Sequence, residues 1–597
     1  MSDQYRRDAA PDGRDESEQE RADRHFDELL QELRIAQTGV QIRSQPLPGK
    51  VPTPAGPTRR TVARLRYLSP ASGRTLSGRT EACARHQGWT MVAVDPAAET
   101  TRTTMPQSGD DIALDSALDP LVLAMDIGST ATRGGVHDAS GRRVRGLQHK
   151  VPHDFTVASD GTSIIDPDQV TAEVEEILDA ATRNPRLGTR IAGVAMDTFA
   201  ASLIAVDKAG RPLTPCLTYA DSRSAHAVTA LREELDERAI HQRTGTRLHT
   251  SYHAPRLRWL SATQPHLVAD TANWWSLGEY VLAQLVGHLL AGISTVAWTG
   301  LLDRSTGEFD TELLATTGID PDQLSPPLST TRAAPSTNTT RWPALAKAAW
   351  FPVITDGFAS NVGSGATDAT VLTAATATSG ALRVLLDGPA EPLPFGLWNY
   401  RVDAGRTLLG GAINDVGRAV SWAQSTLRLS AASAGTLTAP PSDTTPLVLP
   451  YLTGERAPGW VGGARAVLGG VSAATDADTL FRGIVEGVAI TYARVADELH
   501  PAAPHILEVA AAGRVSNDHP EWLQILADVL GRPVTHVTRR RATQRGTALL
   551  ALDALAPDVP RASRATGATY EPQPAHVEHY AQRRARFAEA YETLILG

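Results

Sequence analysis

From Leu121 to the C-terminus the chain reads as apolar runs that end in tight turns, separated by longer stretches with helical spacing. In LVLAMDIGSTATRGGVHDASGRRV, Leu121 to Val144, an apolar strand runs into Asp126 and the chain turns over Ile127, Gly128, Ser129 and Thr130. A second strand leaves through Ala131 to Val136, and Asp138-Ala-Ser-Gly141 turns the chain again. IAGVAMDTFAASLIAVDKAGRPL, from Ile191, reads as two strands, the second followed by a Lys-Ala-Gly turn, and a polar Asp221-Ser-Arg223 follows. In FPVITDGFASNVGSGA, Phe351 to Ala366, a strand of buried type ends on Asp356 and opens a Gly/Ser-rich helix start. LTAATATSGALRVLL then places Thr378, Ser379 and Gly380 in a second turn between strands. Near the end, Trp522, Ile525, Leu526 and Val529 recur on one helical face.

Upstream of Leu121 the pattern changes. Phe26, Leu29, Leu30 and Leu33 fall at i, i+3, i+4 and i+7, which predicts one amphipathic helix stopped at Gly39. PLPGKVPTPAGPT, Pro46 to Thr58, is a linker by composition, so residues 1–59 read as a charged, partly helical and partly disordered extension. Residues 60–120 read as a small α/β stub and connector: a strand, a helix around Glu81 to His86 and a strand from Thr90. The stub faintly resembles the start of a serine recombinase, with Ser69 in the nucleophile's place. Tyr67 stands where that family has an arginine, however, and there is no room for the rest of such a domain.

At 597 residues the chain is too long for one domain. Its 42% hydrophobic and 21% charged residues are those of an ordinary soluble protein, and a net charge of -9 argues against a general nucleic-acid binder. The two cysteines, Cys83 and Cys216, are too far apart to suggest a disulfide framework or a zinc site. No apolar run is long enough to cross a bilayer, since Trp274 to Leu290 is interrupted by Glu279, Gln284 and His288. The polar N-terminus is unlike a secretory signal, and the cytoplasm is the expected location.

The turns carry chemistry that suits phosphate. Gly128 permits close backbone approach, the hydroxyls and amides of Ser129 and Thr130 can donate to phosphate oxygens, and Arg133 adds positive charge. Asp126, at a strand end, can hold magnesium through water. The same segment could also be an ordinary hairpin, and Asp356 could be a helix cap before Gly357. His241, His249 and His253 lack a shared metal spacing and read as solvent-facing or hydrogen-bonded histidines.

In order and spacing, these segments resemble the FGGY family of carbohydrate kinases over about Leu121 to Leu555, with LPYLTGERAPGW, AAAGRVSNDHPEWLQILADVLGRPV and TQRGTALLAL completing the set. ADSRSA, RTGTRLHTSY, TGLLDRSTGEFD and RWPAL are closest to gluconate-kinase-like members. The resemblance implies an α/β fold of two actin-like ATPase (ribonuclease H-like) domains with a cleft between them, a sugar-binding one over 121–366 and a nucleotide-binding one over 367–597. It implies ATP and Mg2+, a small polyhydroxylated substrate, no nucleic-acid or membrane partner, and a homodimer, which is common in the family. Asp356 matches the family's catalytic base, able to orient a hydroxyl and take its proton. Asp126, Gly128, Ser129, Thr130 and Arg133 match its first phosphate motif, and Thr378 and Ser379 its second. Gly513 and Gln524 are nucleotide-side candidates, and Thr198, Ser202 and Tyr252 are substrate-side candidates. Asp221 and Arg223 are either a solvated turn pair or sugar contacts, whereas Glu455 and Arg456 read best as a structural ion pair.

The pattern also departs from the family. Ala200 and Ala201 replace side chains that normally touch the sugar, and two methyl groups can neither donate nor accept. Ala377 and Ala512 each replace a glycine on the nucleotide side, Arg514 replaces a small residue, and Asp415, Val416 and Arg418 are unusual. Two expectations follow: a kinase of a sugar, sugar acid or polyol, or a catalytically weakened pseudokinase that binds a ligand or regulates. The retention of Asp126 together with Asp356 favours the kinase.

Overall fold

A computed structural model describes residues 111–597 apart from 188, 336–339, 431–432 and 539–540. The helix expected around Phe26 to Leu33 and the stub with Ser69 and Cys83 lie outside the described residues. So does the linker between them.

The described residues are built on two large sheets of related design. In the first, the order is Asp111–Ile112, Arg143–Pro152, Ala131–His137, Leu121–Ile127, Ile191–Thr198, Ala349–Trp350 and Ala334–Pro335, with Ile354–Thr355 also pairing with Ile191–Thr198. Leu121–Ile127 is buried along its whole length, as a central strand covered on both faces must be. It runs antiparallel to Ala131–His137 and parallel to Ile191–Thr198.

The second sheet repeats the scheme: Trp398–Arg401, Arg406–Ile413, Gly380–Asp387, Val371–Thr376, Glu508–Ala512, Val534–Val537 and Thr566–Tyr570. Again an antiparallel hairpin leads into a parallel neighbour, here Val371–Thr376 beside Glu508–Ala512. Both sheets thus present a hairpin turn and the end of a parallel strand along one edge, the usual place for a ligand in an open α/β sheet.

Each sheet has its own apolar core, that of the second gathered around the long helix Ala477–Leu499. A third cluster joins the two halves, combining Val122, Ala195 and Phe358 with Leu385, Trp398 and Leu549. Helix Ala542–Leu555, late in the chain, packs against the strands Leu121–Ile127 and Ile191–Thr198 and against helix Asp356–Gly363. The two helices approach so closely that a Cβ on Gly363 would lie 1.7 Å from the Ala542 carbonyl, and one on Gly546 would lie 1.8 Å from that of Ala359. This contact presses the helix that begins at Asp356 against the end of the first sheet.

The apolar stretch from Trp274 to Leu290 is a buried helix, Leu277–Val286, opened by a Ser276/Glu279 capping box and closed at left-handed Gly287. No helix among the described residues is long and apolar enough to cross a membrane. Cys216 is buried and unpaired.

Candidate active site

Asp126 and Asp197 end adjacent parallel strands in direct register, both buried. Desolvation raises both carboxyls, Asp197 the more, and their mutual repulsion adds to the rise at Asp197. Asp197 also accepts a hydrogen bond from the Thr547 hydroxyl. Arg133, opposite Asp126 in the hairpin, lies 3.6 Å from its carboxylate and also donates to the Thr130 hydroxyl. The turn is closed by the Gly128 N–H on the Ala131 carbonyl at 3.1 Å, while Ser129 and Thr130 are exposed at its tip. His153 braces it from behind, between the Gly128 carbonyl and Glu173.

Asp356 is the first residue of its helix and accepts a 2.7 Å hydrogen bond from the Gly357 N–H. Burial pushes its carboxyl up to about 6. Arg383 and the Gly357 N–H pull it down, and the Asp126 charge pushes it up. Arg383 belongs to the second sheet, on strand Gly380–Asp387. Its Nε would lie 4.0 Å from a Cβ on Gly357, so the cation faces the start of the Asp356 helix. Among the described residues it has no hydrogen bond or ion pair within 4 Å, and burial lowers its pKa. A stacked wall of Trp298, Tyr400 and Trp398 flanks it, with the Trp298 and Tyr400 centroids 3.7 Å apart.

On the substrate side, the Tyr252 and Tyr400 hydroxyls share a 2.5 Å hydrogen bond. Asp221 is buried rather than solvated, bonded to the Ser163 N–H and ion-paired with Arg223 at 2.7 Å, while Arg223 lies over the Trp259 ring. Two expected contacts are not brought to the surface of the cleft. Thr198 is fully buried with its hydroxyl on the Phe199 carbonyl, and Ser202 is buried accepting the Leu277 N–H at the start of a helix. Both hydroxyls serve the backbone. The expected Glu455–Arg456 pair is also corrected: Glu455 is ion-paired with Arg494 and hydrogen-bonded by Tyr591, and Arg456 has neither kind of partner among the described residues. His241 and His253 are buried and His249 is half-buried, and desolvation first of all lowers them, to about 4 at His241 and about 3 at His249 and His253.

On the nucleotide side, Thr378 and Ser379 form the turn of the second sheet. The carbonyls of Ala377 and Thr378 accept the N–H groups of Gly417 and Arg418 at 2.9 and 3.0 Å. Ala377 and Ala512 are absent from the residues with positive φ, so neither methyl strains its backbone. Gly513 has φ +145°, and a Cβ there would lie 2.5 Å from the Thr376 carbonyl carbon. Asp415 is spent on Thr453 and Arg418, which ties the unusual pair into the loop beside the turn. Gln524 is not placed at the turn: its amide donates to Asp528 and to the Glu571 carbonyl, towards the far edge of the sheet.

Sequence reasoning missed Asp197, Arg383 and Tyr400. Asp197 had a visible signal, since AMD recurs at residues 124–126 and 195–197, at the ends of two neighbouring strands. Arg383 sits within the apolar run ALRVLL and looks like an accident of composition until the other half of the cleft faces it.

Residues 121–362 match the N-terminal domain of the FGGY family of carbohydrate kinases, and residues 376–555 match its C-terminal domain. The chain belongs to this family and is a carbohydrate kinase of the sugar and polyol class. Residues 15–45 match a family of unknown function. A gluconokinase of Bacillus subtilis (strain 168) is 25% identical over 457 residues, covering 72% of this chain and 87% of the relative. Among solved structures, gluconate kinase from Lactobacillus acidophilus superimposes with a TM-score of 0.74 at 23% identity, over 80% of this chain and 98% of that one. Plasmodium falciparum glycerol kinase with ADP gives 0.71 at 17% identity, over 81% and 99%. These structures share the two-domain α/β fold.

Proposed function

We propose that the protein transfers the terminal phosphoryl group of ATP to a hydroxyl of a small sugar, sugar acid or polyol, with Asp356 as the base. The observation that carries this reading is the setting of Asp356: a carboxyl at a helix start, raised to about 6 and facing Arg383 of the second sheet, which has no ion pair among the described residues. At neutral pH it is ionised yet basic enough to take a proton. It orients the substrate hydroxyl and receives its proton as that oxygen bonds to the terminal phosphorus. The bond from phosphorus to the bridging oxygen breaks, and ADP leaves with those electrons.

The exposed turn at Ser129 and Thr130, with Arg133, is suited to hold the phosphates from the first sheet. Thr378 and Ser379 hold them from the second, and Gly513 lets the nucleotide approach the backbone. Arg383 stabilises charge on the group in transfer. Asp126, a carboxylate beside a phosphate turn, fits a magnesium ion that keeps most of its waters. Bound there, magnesium would offset the negative charge of the phosphates. Gluconate, the substrate in the names of the similar gluconokinases, is a first choice of acceptor. The ordinary backbone at Ala377 and Ala512 weighs against the pseudokinase alternative.

The test is ADP production with magnesium and ATP across aldonates, ketoses and polyols, with Asp356→Asn alongside. Substrate-dependent ADP that the variant fails to make is the expected result. Equal turnover by the variant would remove Asp356 from its role.

A further inference from the structure

Around the first turn the backbone carbonyls are tied to the protein, and the N–H groups at the tip are not. The Ile127 carbonyl accepts the Phe199 N–H at 3.0 Å, and that of Ala131 accepts the Gly128 N–H at 3.1 Å. Register brings His153 to the carbonyls of Gly128 and Thr130. Pro152 ends its strand opposite Ala131, so the next residue meets the turn itself. The His153 N–H donates to the Thr130 carbonyl at 3.2 Å, and the ring Nε2 lies 2.8 Å from the Gly128 carbonyl oxygen. A carbonyl only accepts, so Nε2 is the donor. The ring is fully buried and its other nitrogen, Nδ1, is held 2.8 Å from Glu173. Glu173 is fixed in turn by the Thr132 hydroxyl at 2.7 Å and the Gln169 amide at 3.0 Å.

The consequence lies in the peptide plane. In a trans peptide the C=O and the N–H point in opposite directions. With the Gly128 carbonyl drawn back onto His153, the Ser129 N–H is aimed the other way, out of the exposed tip. Among the described residues neither the Ser129 nor the Thr130 N–H has a hydrogen-bond partner. The second turn reaches the same arrangement by other means. The carbonyls of Ala377 and Thr378 are taken by the N–H groups of Gly417 and Arg418, at the start of helix Gly417–Thr426. The N–H groups of Thr378 and Ser379 therefore face away from that helix. Backbone donors that almost any sequence would supply set one turn, and a single side chain sets the other.

We infer that His153 is a positioning residue for the phosphates of the nucleotide, locking the peptide between Gly128 and Ser129 with its N–H towards them. Without the ring, that peptide is free to turn its carbonyl oxygen, an acceptor, towards the anion, and the turn loses a donor. This assignment rests on the reading of the first turn as a phosphate turn and adds the residue that fixes its backbone.

The two ring nitrogens can be tested apart. In His153→Gln the side-chain amide nitrogen reaches about as far as Nε2 and can donate to the Gly128 carbonyl. In His153→Asn it reaches only as far as Nδ1, which keeps a donor for Glu173 and abandons the carbonyl. His153→Met fills the space and donates to neither. The experiment measures equilibrium binding of ATP, with magnesium, to the full chain and to each variant, and thermal unfolding checks that the fold is kept. We expect His153→Asn and His153→Met to weaken ATP binding at least about tenfold, and His153→Gln to stay within about threefold of the wild type. In turnover the KM for ATP should follow the same order while that of the acceptor stays in place. A folded His153→Asn or His153→Met that binds ATP as the wild type does would overturn the assignment. So would equal losses in His153→Asn and His153→Gln, or a wild type that does not bind ATP. The expected order of affinities in a protein that never makes ADP would uphold this assignment and count against the kinase reading alone.

Discussion

The two sheets place a hairpin turn at the same cleft, but they charge it differently. In the first, the arginine that follows the turn, Arg133, lies beside its cross-strand partner Asp126, and a second carboxyl, Asp197, stands in the next strand. In the second, Arg383 pairs with Thr373 on one side and Gly410 on the other, and the parallel neighbour of Thr373 is Ala510, so none of these positions offers it an anion. The acid it faces is Asp356, from the other half of the molecule. One architecture has thus been given an acidic wall and a cationic one. A transfer in which negative charge moves from one side to the other needs both, and neither sheet could supply them alone.

Removing the acid is the harshest way to break this contrast. Asp356→Asn should lower turnover about 10³-fold, measured as ADP production with the best acceptor. The same variant should be more stable at neutral pH, by on the order of 1–3 kcal/mol in urea unfolding. The sign follows from a folded pKa raised from 3.8 to about 6: ionisation costs the folded state, and the cost accrues as pH rises between those values. The gain should therefore shrink as pH falls from 6 towards 4. Asp126→Asn takes away the carboxylate beside the first turn and should cost about 10²-fold, with a raised magnesium requirement in a titration of the metal. Gly513→Ala probes the nucleotide side of the second sheet, because its methyl would press on Thr376 at a φ of +145°. It should destabilise by about 2 kcal/mol in urea, whereas Gly405→Ala, with nothing within 4 Å, should change stability by less than about 0.5 kcal/mol.

Much of the acidic wall was legible in the sequence. Strands of buried type that run into Asp126 and Asp356 and then into Gly-rich turns announce both the hairpin and the helix start, and the structure puts each at the sheet edge. The failures have physical causes. Thr198 and Ser202 lie where recognition residues were expected, but strand register buries the first, and a helix N-terminus in need of an acceptor consumes the second. Gln524 sits on the expected helix yet is drawn to Asp528 four residues on. Arg456 was matched to its neighbour Glu455, although adjacent side chains diverge, and Glu455 instead finds Arg494 from the long helix. The cationic wall was hidden for a simpler reason. Strand alternation puts Ala381, Arg383 and Leu385 on one face, but only the approach of the other sheet makes that face a cleft.

The claim that Arg383 and Asp356 act on each other across the cleft is tested most directly by the pH dependence of kcat/KM in the wild type and in Arg383→Met. Because the ionised carboxylate is the active form, wild-type activity should fall as pH drops through about 6. Without the guanidinium, which favours the charged form, that acid limb should move to higher pH. A limb that stays in place or moves to lower pH would contradict the account.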